Sequence, residues 1–274
     1  RRAAGGAARF AAGRVVLWPD TFTNHLTPEV GVAAARVLEA AGFEVILPGG
    51  RVCCGLTWVS TGQLGTAKRV LRHTLKVLAP VLEEGVPVVV LEPSCAALFR
   101  HELTDLFPED RAAAQLRDAV RTLAEFLAEF APDWQPPATG SRQEGSREEG
   151  SPEEGGPERQ ALVQQHCHQY AVMGFEPDRR LLGSAGISAR LIDQGCCGLA
   201  GNFGFEDGHY EVSMAVAEDG VLPAVRAAAE GTRVVADGFS CRTQIEHGTG
   251  RRALHLAELL AETLPEALPE DGPG

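Results

Sequence analysis

Residues 51–55 read RVCCG and residues 193–204 read DQGCCGLAGNFG, so Cys-Cys-Gly occurs at Cys53 and again at Cys196. The surroundings of the two copies match in order. An apolar run precedes each, Val15, Val16 and Leu17 before the first and Ala161, Leu162 and Val163 before the second. Another follows each, VPVVVLEP at 86–93 and TRVVADG at 232–238, and leads to a single cysteine, Cys95 or Cys241. Landmarks that recur in one order read as two halves with one ancestral pattern.

Within each half, short apolar runs alternate with amphipathic stretches. PEVGVAAARVLEAAG, from Pro28, repeats apolar residues at helical spacing and stops at Gly42, a helix end. FEVILP at 43–48 is a strand entering the first Cys-Cys-Gly, and 62–83 is a helix with Leu64, Ala67, Val70, Leu71, Leu75 and Leu78 on one face. The second half repeats this with a helix near 179–186, a strand ISARLID at 187–193 and a helix within 210–230. The expected fold is therefore α/β: two pseudo-symmetric repeats with mainly parallel sheets and the cysteines at strand carboxyl ends. The chain divides into an upstream linker 1–14, a first repeat 15–133, a flexible linker 134–160, a second repeat 161–264 and a tail 265–274. The stretch PPATGSRQEGSREEGSPEEGGPERQ at 136–160 has almost nothing apolar to offset its ordering entropy, and the tail is similar.

The 274 residues are 44% hydrophobic and 23% charged, enough to bury a core. A formal net charge of -12 argues against sequence-blind nucleic-acid binding, which needs a basic face. No apolar run reaches the ~18 residues of a membrane span. RRAAGGAARFAAGR has neither an initiator Met nor an apolar signal core, and reads as a start cut from something longer with no signal peptide. Seven cysteines cannot all pair within one chain. In the reducing, cytoplasmic compartment this implies, clustered cysteines bind metal or do redox work.

The second half offers Cys167 in QQHCHQ, the pair Cys196 and Cys197, and Cys241 in GFSC, from three segments that leave strand ends. Structural zinc typically uses C-x2-4-C knuckles, which are absent, and adjacent cysteines have little freedom to reach two corners of one tetrahedron. An iron-sulfur cluster relaxes that strain, because neighbouring thiolates can address different irons. Gly198, Gly201 and Gly204 would let backbone N–H groups approach such a group, although the same spacing suits a turn entering a helix. His166 and His168 flank Cys167 as candidates for ligands or a proton relay. Glu92, before Pro93, reads as a helix cap. Trp18, Trp58 and Phe203 read as core packing, and Arg100, Glu102 and Asp105 as an exposed charged face.

These motifs resemble the cysteine-rich CCG domain of heterodisulfide reductase and of the iron-sulfur subunits of glycolate and D-lactate oxidation. More narrowly, LWPDTFTNHLTPEVG, RVCCG, LEPSC, QQHCHQYAVMG and CCGLAGNFG are similar to the C-terminal part of fused proteins that join an FAD-linked 2-hydroxy acid dehydrogenase to an iron-sulfur module. The resemblance covers residues 15–264. It implies a 4Fe-4S-type cluster that passes electrons from FAD, bound in an upstream domain or partner subunit, to a quinone or another acceptor. It also implies a cytoplasmic protein, held at the inner face of the membrane through partners, that serves oxidation of D-lactate, glycolate or D-2-hydroxyglutarate. Cys167, Cys196, Cys197 and Cys241 match the cluster-binding positions of the second repeat, and Cys53, Cys54 and Cys95 those of the first. The first repeat departs from the pattern, since PDTFTNH has no cysteine where the second has Cys167. A cluster there would need a fourth ligand from Asp20, His25 or a partner. The CxxC ending of the fullest family version is missing in both halves, where Glu92 and Gly238 stand at its first position.

Two other readings compete. The chain could be a zinc-stabilised or metal-free scaffold that docks a flavin partner, its cysteines being small buried residues at strand ends. It could also carry out thiol-disulfide chemistry at a cluster, as a heterodisulfide reductase resemblance would allow.

Overall fold

The computed structural model describes residues 13–137, 159–193 and 195–265. The opening segment, the linker and the tail expected from composition lie almost wholly outside these residues.

The first repeat runs β1 (Gly13–Trp18), α1 (Thr21–His25), α2 (Pro28–Ala40), β2 (Phe43–Ile46), α3 (Leu56–Ser60), α4 (Leu64–Glu83), β3 (Val88–Val90), α5 (Pro93–Arg100), α6 (Glu102–Leu106), α7 (Arg111–Ala119), β4 (Val120–Arg121) and α8 (Leu123–Phe130). The second runs β5 (Arg159–Val163), a π-helical turn Gln169–Met173, α9 (Glu176–Ser184), β6 (Ile187–Leu191), a 3-10 turn Phe203–Phe205, α10 (Tyr210–Glu218), α11 (Val221–Ala227), β7 (Arg233–Val235), α12 (Phe239–Thr249), β8 (Ala253–Leu254) and α13 (Leu256–Ala261). Each repeat forms a four-stranded sheet, in the orders β2-β1-β3-β4 and β6-β5-β7-β8. Every strand pair is parallel. Identical order and direction make the two halves structural duplicates, as the recurring landmarks predict.

Parallel strands with both faces covered read as continuous apolar runs. Val15, Val16, Leu17 and Trp18 are all buried. Because side chains alternate, Val15 and Leu17 enter one core while Val16 and Trp18 enter another. The outer core of the first repeat packs α4, α5 and α7 on its sheet, and that of the second packs Val221, Val225 and Ile245 of α11 and α12. Between the sheets lies a single core that both repeats share, built from Leu38, Phe126, Val163, Leu182 and Leu260 among others. There α2 meets α13 and α8 meets α9. Since α9 is the counterpart of α2, and α13 of α8, the two contacts are one contact repeated about a pseudo-two-fold axis.

Departures from the periodicity have local causes. The expected 210–230 helix breaks into α10 and α11 at Gly220, whose φ of -160° is extended, whereas α4 is continuous over 20 residues. On α4, Leu64 is exposed and Thr74 is buried instead. The Thr74 hydroxyl accepts from the Cys53 N–H at 3.1 Å and donates to the Cys53 carbonyl at 2.9 Å, so its polarity is satisfied and the first Cys-Cys-Gly loop is pinned. Arg100 is not part of an exposed charged face. It is half-buried, and it pairs with Glu125 and donates to the Val120 carbonyl at 3.1 Å. Among the described residues no helix is long and apolar enough to cross a membrane.

The shared core makes a direct prediction. Leu260, fully buried on α13, contributes to that core from the second repeat, while all three tryptophans, Trp18, Trp58 and Trp134, precede the second repeat. Leu260→Ala should lower stability by about 2–5 kcal/mol. The shift should appear in denaturant unfolding followed by tryptophan fluorescence. A fluorescence midpoint that stays at the wild-type value would mean the repeats unfold independently.

Candidate metal centre

Parallel pairing brings the carboxyl ends of each sheet to one edge, and in both sheets the chain changes direction beside the first strand, where open α/β sheets bind ligands. The loop after β2 carries Cys53 and Cys54, and that after β6 carries Cys196 and Cys197. The third residue of α5 is Cys95, and the third of α12 is Cys241. The positive ends of two helix dipoles therefore lie beside the cysteines.

The glycine of each Cys-Cys-Gly is in the left-handed region, φ 79° at Gly55 and 84° at Gly198. This turn lets its N–H point back at the first sulfur. Gly55 N donates to Cys53 Sγ and Gly198 N to Cys196 Sγ, each at 3.4 Å. Gly198 also lies against α10, and a Cβ there would be 2.1 Å from the Ser213 carbonyl oxygen. Gly204 faces the same residue, with a Cβ position 2.2 Å from Ser213 Oγ, whereas Gly201 serves a turn with open space around it. Thus only Gly198 of the three directs backbone at a cysteine sulfur, and Gly204 admits a helix.

In the second repeat Cys167 Sγ lies 3.9 Å from His166 Nδ1. The neighbouring thiols Cys167 and then Cys197 hold Cys196 far below the ordinary thiol range, and Cys196 in turn pushes both of them up. Cys167 is exposed and Cys241 is buried, so the set reaches from solvent into the core. The first repeat differs. Cys54 and Cys95 are buried with their sulfurs 2.9 Å apart, and all three thiols stay above their ordinary range.

Asp20 lies where its charge acts on Cys95, but its oxygens are engaged. Oδ1 accepts from Phe22 N at 2.9 Å and Thr23 N at 3.0 Å, and Oδ2 from Thr23 Oγ1 at 2.6 Å, capping α1. His25 is exposed and bonds to Asn24. His166 holds the position in the second repeat that Asp20 holds in the first. It is buried, it is driven below the ordinary imidazole range by that burial, and its Nδ1 accepts from His168 N at 3.1 Å. Its ring lies 2.2 Å from where a Gly238 Cβ would stand, so glycine at 238 makes room for the imidazole. His168 Nδ1 is buried with no hydrogen-bond partner, an orphaned donor or acceptor beside Cys167.

Among the described residues, the potential ligand atoms that all lie within 4.8 Å of one another belong to His166, Cys167 and His168. Cys196, Cys197 and Cys241 fall outside that compact group. Four cysteines with an orphaned imidazole nitrogen and a backbone N–H aimed at sulfur fit a polynuclear cluster better than one tetrahedral ion.

Sequence reading missed two residues here. Asp237 accepts from Leu256 N at 2.9 Å. Buried His255 accepts from Ala257 N at Nδ1, and its Nε2 meets the Leu91 carbonyl of the other repeat at 3.2 Å. His255 with Glu258 forms a capping box, as Thr122 with Glu125 does in the first repeat. That matching spacing was the available signal.

Two predictions arise here. Gly198→Ala should destabilise the protein far more than Gly55→Ala, because both strain a left-handed turn by about 1–2 kcal/mol but only the former meets a carbonyl oxygen, while Gly55 has 3.4 Å to Leu71. Equal losses in thermal unfolding would contradict this. The second concerns Asp178, whose carboxyl burial, and then Asp237, raise well above its ordinary 3.8, and which accepts from Gln169 Nε2 at 3.0 Å. The folded chain keeps this proton where the unfolded chain loses it, so stability falls as pH rises from about 4. Asp178→Asn should therefore gain stability over wild type at pH 8 and little at pH 4. A difference that is the same at both pH values in denaturant unfolding would contradict it.

Residues 20–100 match the family model of the CCG cysteine-rich domain. Over 90% of its length the chain is 26% identical to the C subunit of the anaerobic glycerol-3-phosphate dehydrogenase of Escherichia coli K12, covering 58% of that protein. Over the same share it is 26% identical to lactate utilization protein A of Bacillus velezensis, covering 98% of it. It is 24% identical to the D-2-hydroxyglutarate dehydrogenase of Escherichia coli K12, covering 22%. The chain thus spans less than two thirds of its glycerol-3-phosphate dehydrogenase relative. The stretch similar to the CCG cysteine-rich domain lies within the first repeat, and the second repeat is the structural duplicate of the first.

Proposed function

We propose that the chain is the electron-transfer module of a dehydrogenase, with an iron-sulfur cluster held by Cys167, Cys196, Cys197 and Cys241. The observation that carries this reading is the gathering of four free cysteines from three chain segments at the carboxyl edge of one parallel sheet, one of them in the first turn of α12. A cluster bound there would supply one-electron redox chemistry of the 4Fe-4S kind. The protein's own part is to hold and tune. Gly198 N–H and the start of α12 place partial positive charge beside the sulfurs, which favours the more negative, reduced state. Exposed Cys167 gives an approach from solvent, and buried Cys197 and Cys241 anchor the set in the outer core. We place the working centre in the second repeat, because the first lacks a fourth thiol, with Thr21 where the second has Cys167.

On this reading substrate oxidation takes place at FAD in an upstream domain or partner subunit, and electrons leave for a quinone or another carrier. The names of two relatives, lactate utilization protein A and D-2-hydroxyglutarate dehydrogenase, support a 2-hydroxy acid as the substrate. The glycerol-3-phosphate dehydrogenase relative supports the same relay with a different substrate. The module would work on the cytoplasmic side, at the membrane through its partners.

Cys197→Ser in the full protein or complex should leave flavin reduction by substrate intact and abolish reduction of the external acceptor. Acceptor reduction at the wild-type rate in that variant would refute the relay.

A further inference from the structure

Glu92 is a buried carboxylate of the first repeat whose two oxygens serve different repeats. Oε1 accepts from Ser94 N at 3.3 Å and Ser94 Oγ at 2.7 Å, capping α5. Oε2 accepts from Phe239 N at 2.8 Å, the first N–H of α12. The N-cap residue of α12 is Gly238, which has no side chain to offer and cannot acquire one without displacing the His166 ring. The second repeat therefore borrows its cap from the first. Phe22 and Phe239 stack over this junction, with centroids 4.4 Å apart and rings 7° from parallel. Cys95 follows Ser94 directly, and Cys241 lies two residues after Phe239.

We propose that Glu92 is a positioning residue for both cysteine sets, tying the helix that presents Cys95 to the helix that presents Cys241, so that a disturbance of one set is felt at the other. The redox consequence rests on the metal centre proposed above, but the positioning does not. A carboxylate has two acceptor oxygens and an amide has one, so Glu92→Gln must leave at least one of the backbone N–H groups of Ser94 and Phe239 without its partner. Loss of an N-cap frees a helix start, and for Cys241, now 2% exposed, that means greater access to reagents.

The test is alkylation of the reduced, metal-free chain by iodoacetamide, followed residue by residue by mass spectrometry. Glu92→Ala should speed modification of Cys241 about tenfold, the size expected for a lost cap, and Glu92→Gln should speed it less. Glu125→Gln, which disturbs the cap of α8, should leave Cys241 at the wild-type rate. Should Glu92→Ala not fold, the near-isosteric Gln variant decides. Wild-type protection of Cys241 in the folded variants overturns the proposal. In anaerobically reconstituted protein, Glu92→Gln should also shift the electron paramagnetic resonance spectrum of the second-repeat cluster at unchanged iron content, and an unshifted spectrum overturns the coupling. Absence of iron in the wild type would refute the metal centre instead, leaving alkylation to decide the role of Glu92.

Discussion

Neither four-stranded sheet has its inner face covered by its own repeat alone. The helices α2, α8, α9 and α13 fill one space between the sheets, and each sheet buries its inner side chains against a core to which both repeats contribute. A parallel sheet needs apolar cover on both faces, so the duplication is the solution to a packing requirement. The pseudo-two-fold axis follows, and with it the placement of the strand ends. Both carboxyl edges come close enough for Glu92 to reach Phe239 and for His255 to reach the Leu91 carbonyl.

Within that frame the two cysteine sets have diverged. The same left-handed glycine turn and the same N–H to sulfur bond occur in both. The strand-end position that carries Asp20 in one repeat carries His166 in the other, and the residue after it is Thr21 in one and Cys167 in the other. That single exchange adds a thiol at the solvent edge of the second set. There the neighbouring thiols Cys167 and Cys197 hold Cys196 below the ordinary thiol range. The first set, without it, has three thiols, Cys54 and Cys95 buried, beside the buried side chains of Asp20 and Glu92. At the first position of the missing CxxC, Gly238 yields space to an imidazole while Glu92 becomes a brace.

Much of this was legible in the sequence because it is local. Four consecutive buried residues in β1, the helical spacing from Pro28 to Ala40 and the two Cys-Cys-Gly turns each announce themselves within a short window. The existence of two repeats, their parallel sheets and the strand-end position of the cysteines follow from those windows alone. What stayed hidden depends on partners far away in the chain. Thr74 is buried because Cys53 uses its hydroxyl, and Arg100 is half-buried because Glu125 and the Val120 carbonyl receive it. Phe203, expected in the core, is instead partly exposed and stacked on His209. Glu92 was readable as a cap for its own helix, but nothing near it in sequence signals Phe239. The break at Gly220 was available as a glycine in a helical run, where a long amphipathic pattern outweighed it.

On the proposed reading the second repeat holds an iron-sulfur cluster on Cys167, Cys196, Cys197 and Cys241. Iron and acid-labile sulfide measured on anaerobically purified protein test it most directly, in the wild type and in a variant with all four cysteines changed to serine. The wild type should contain iron and sulfide in similar amounts, and the variant should lose both. Stoichiometric zinc with no sulfide, or iron and sulfide that persist in the variant, would contradict it.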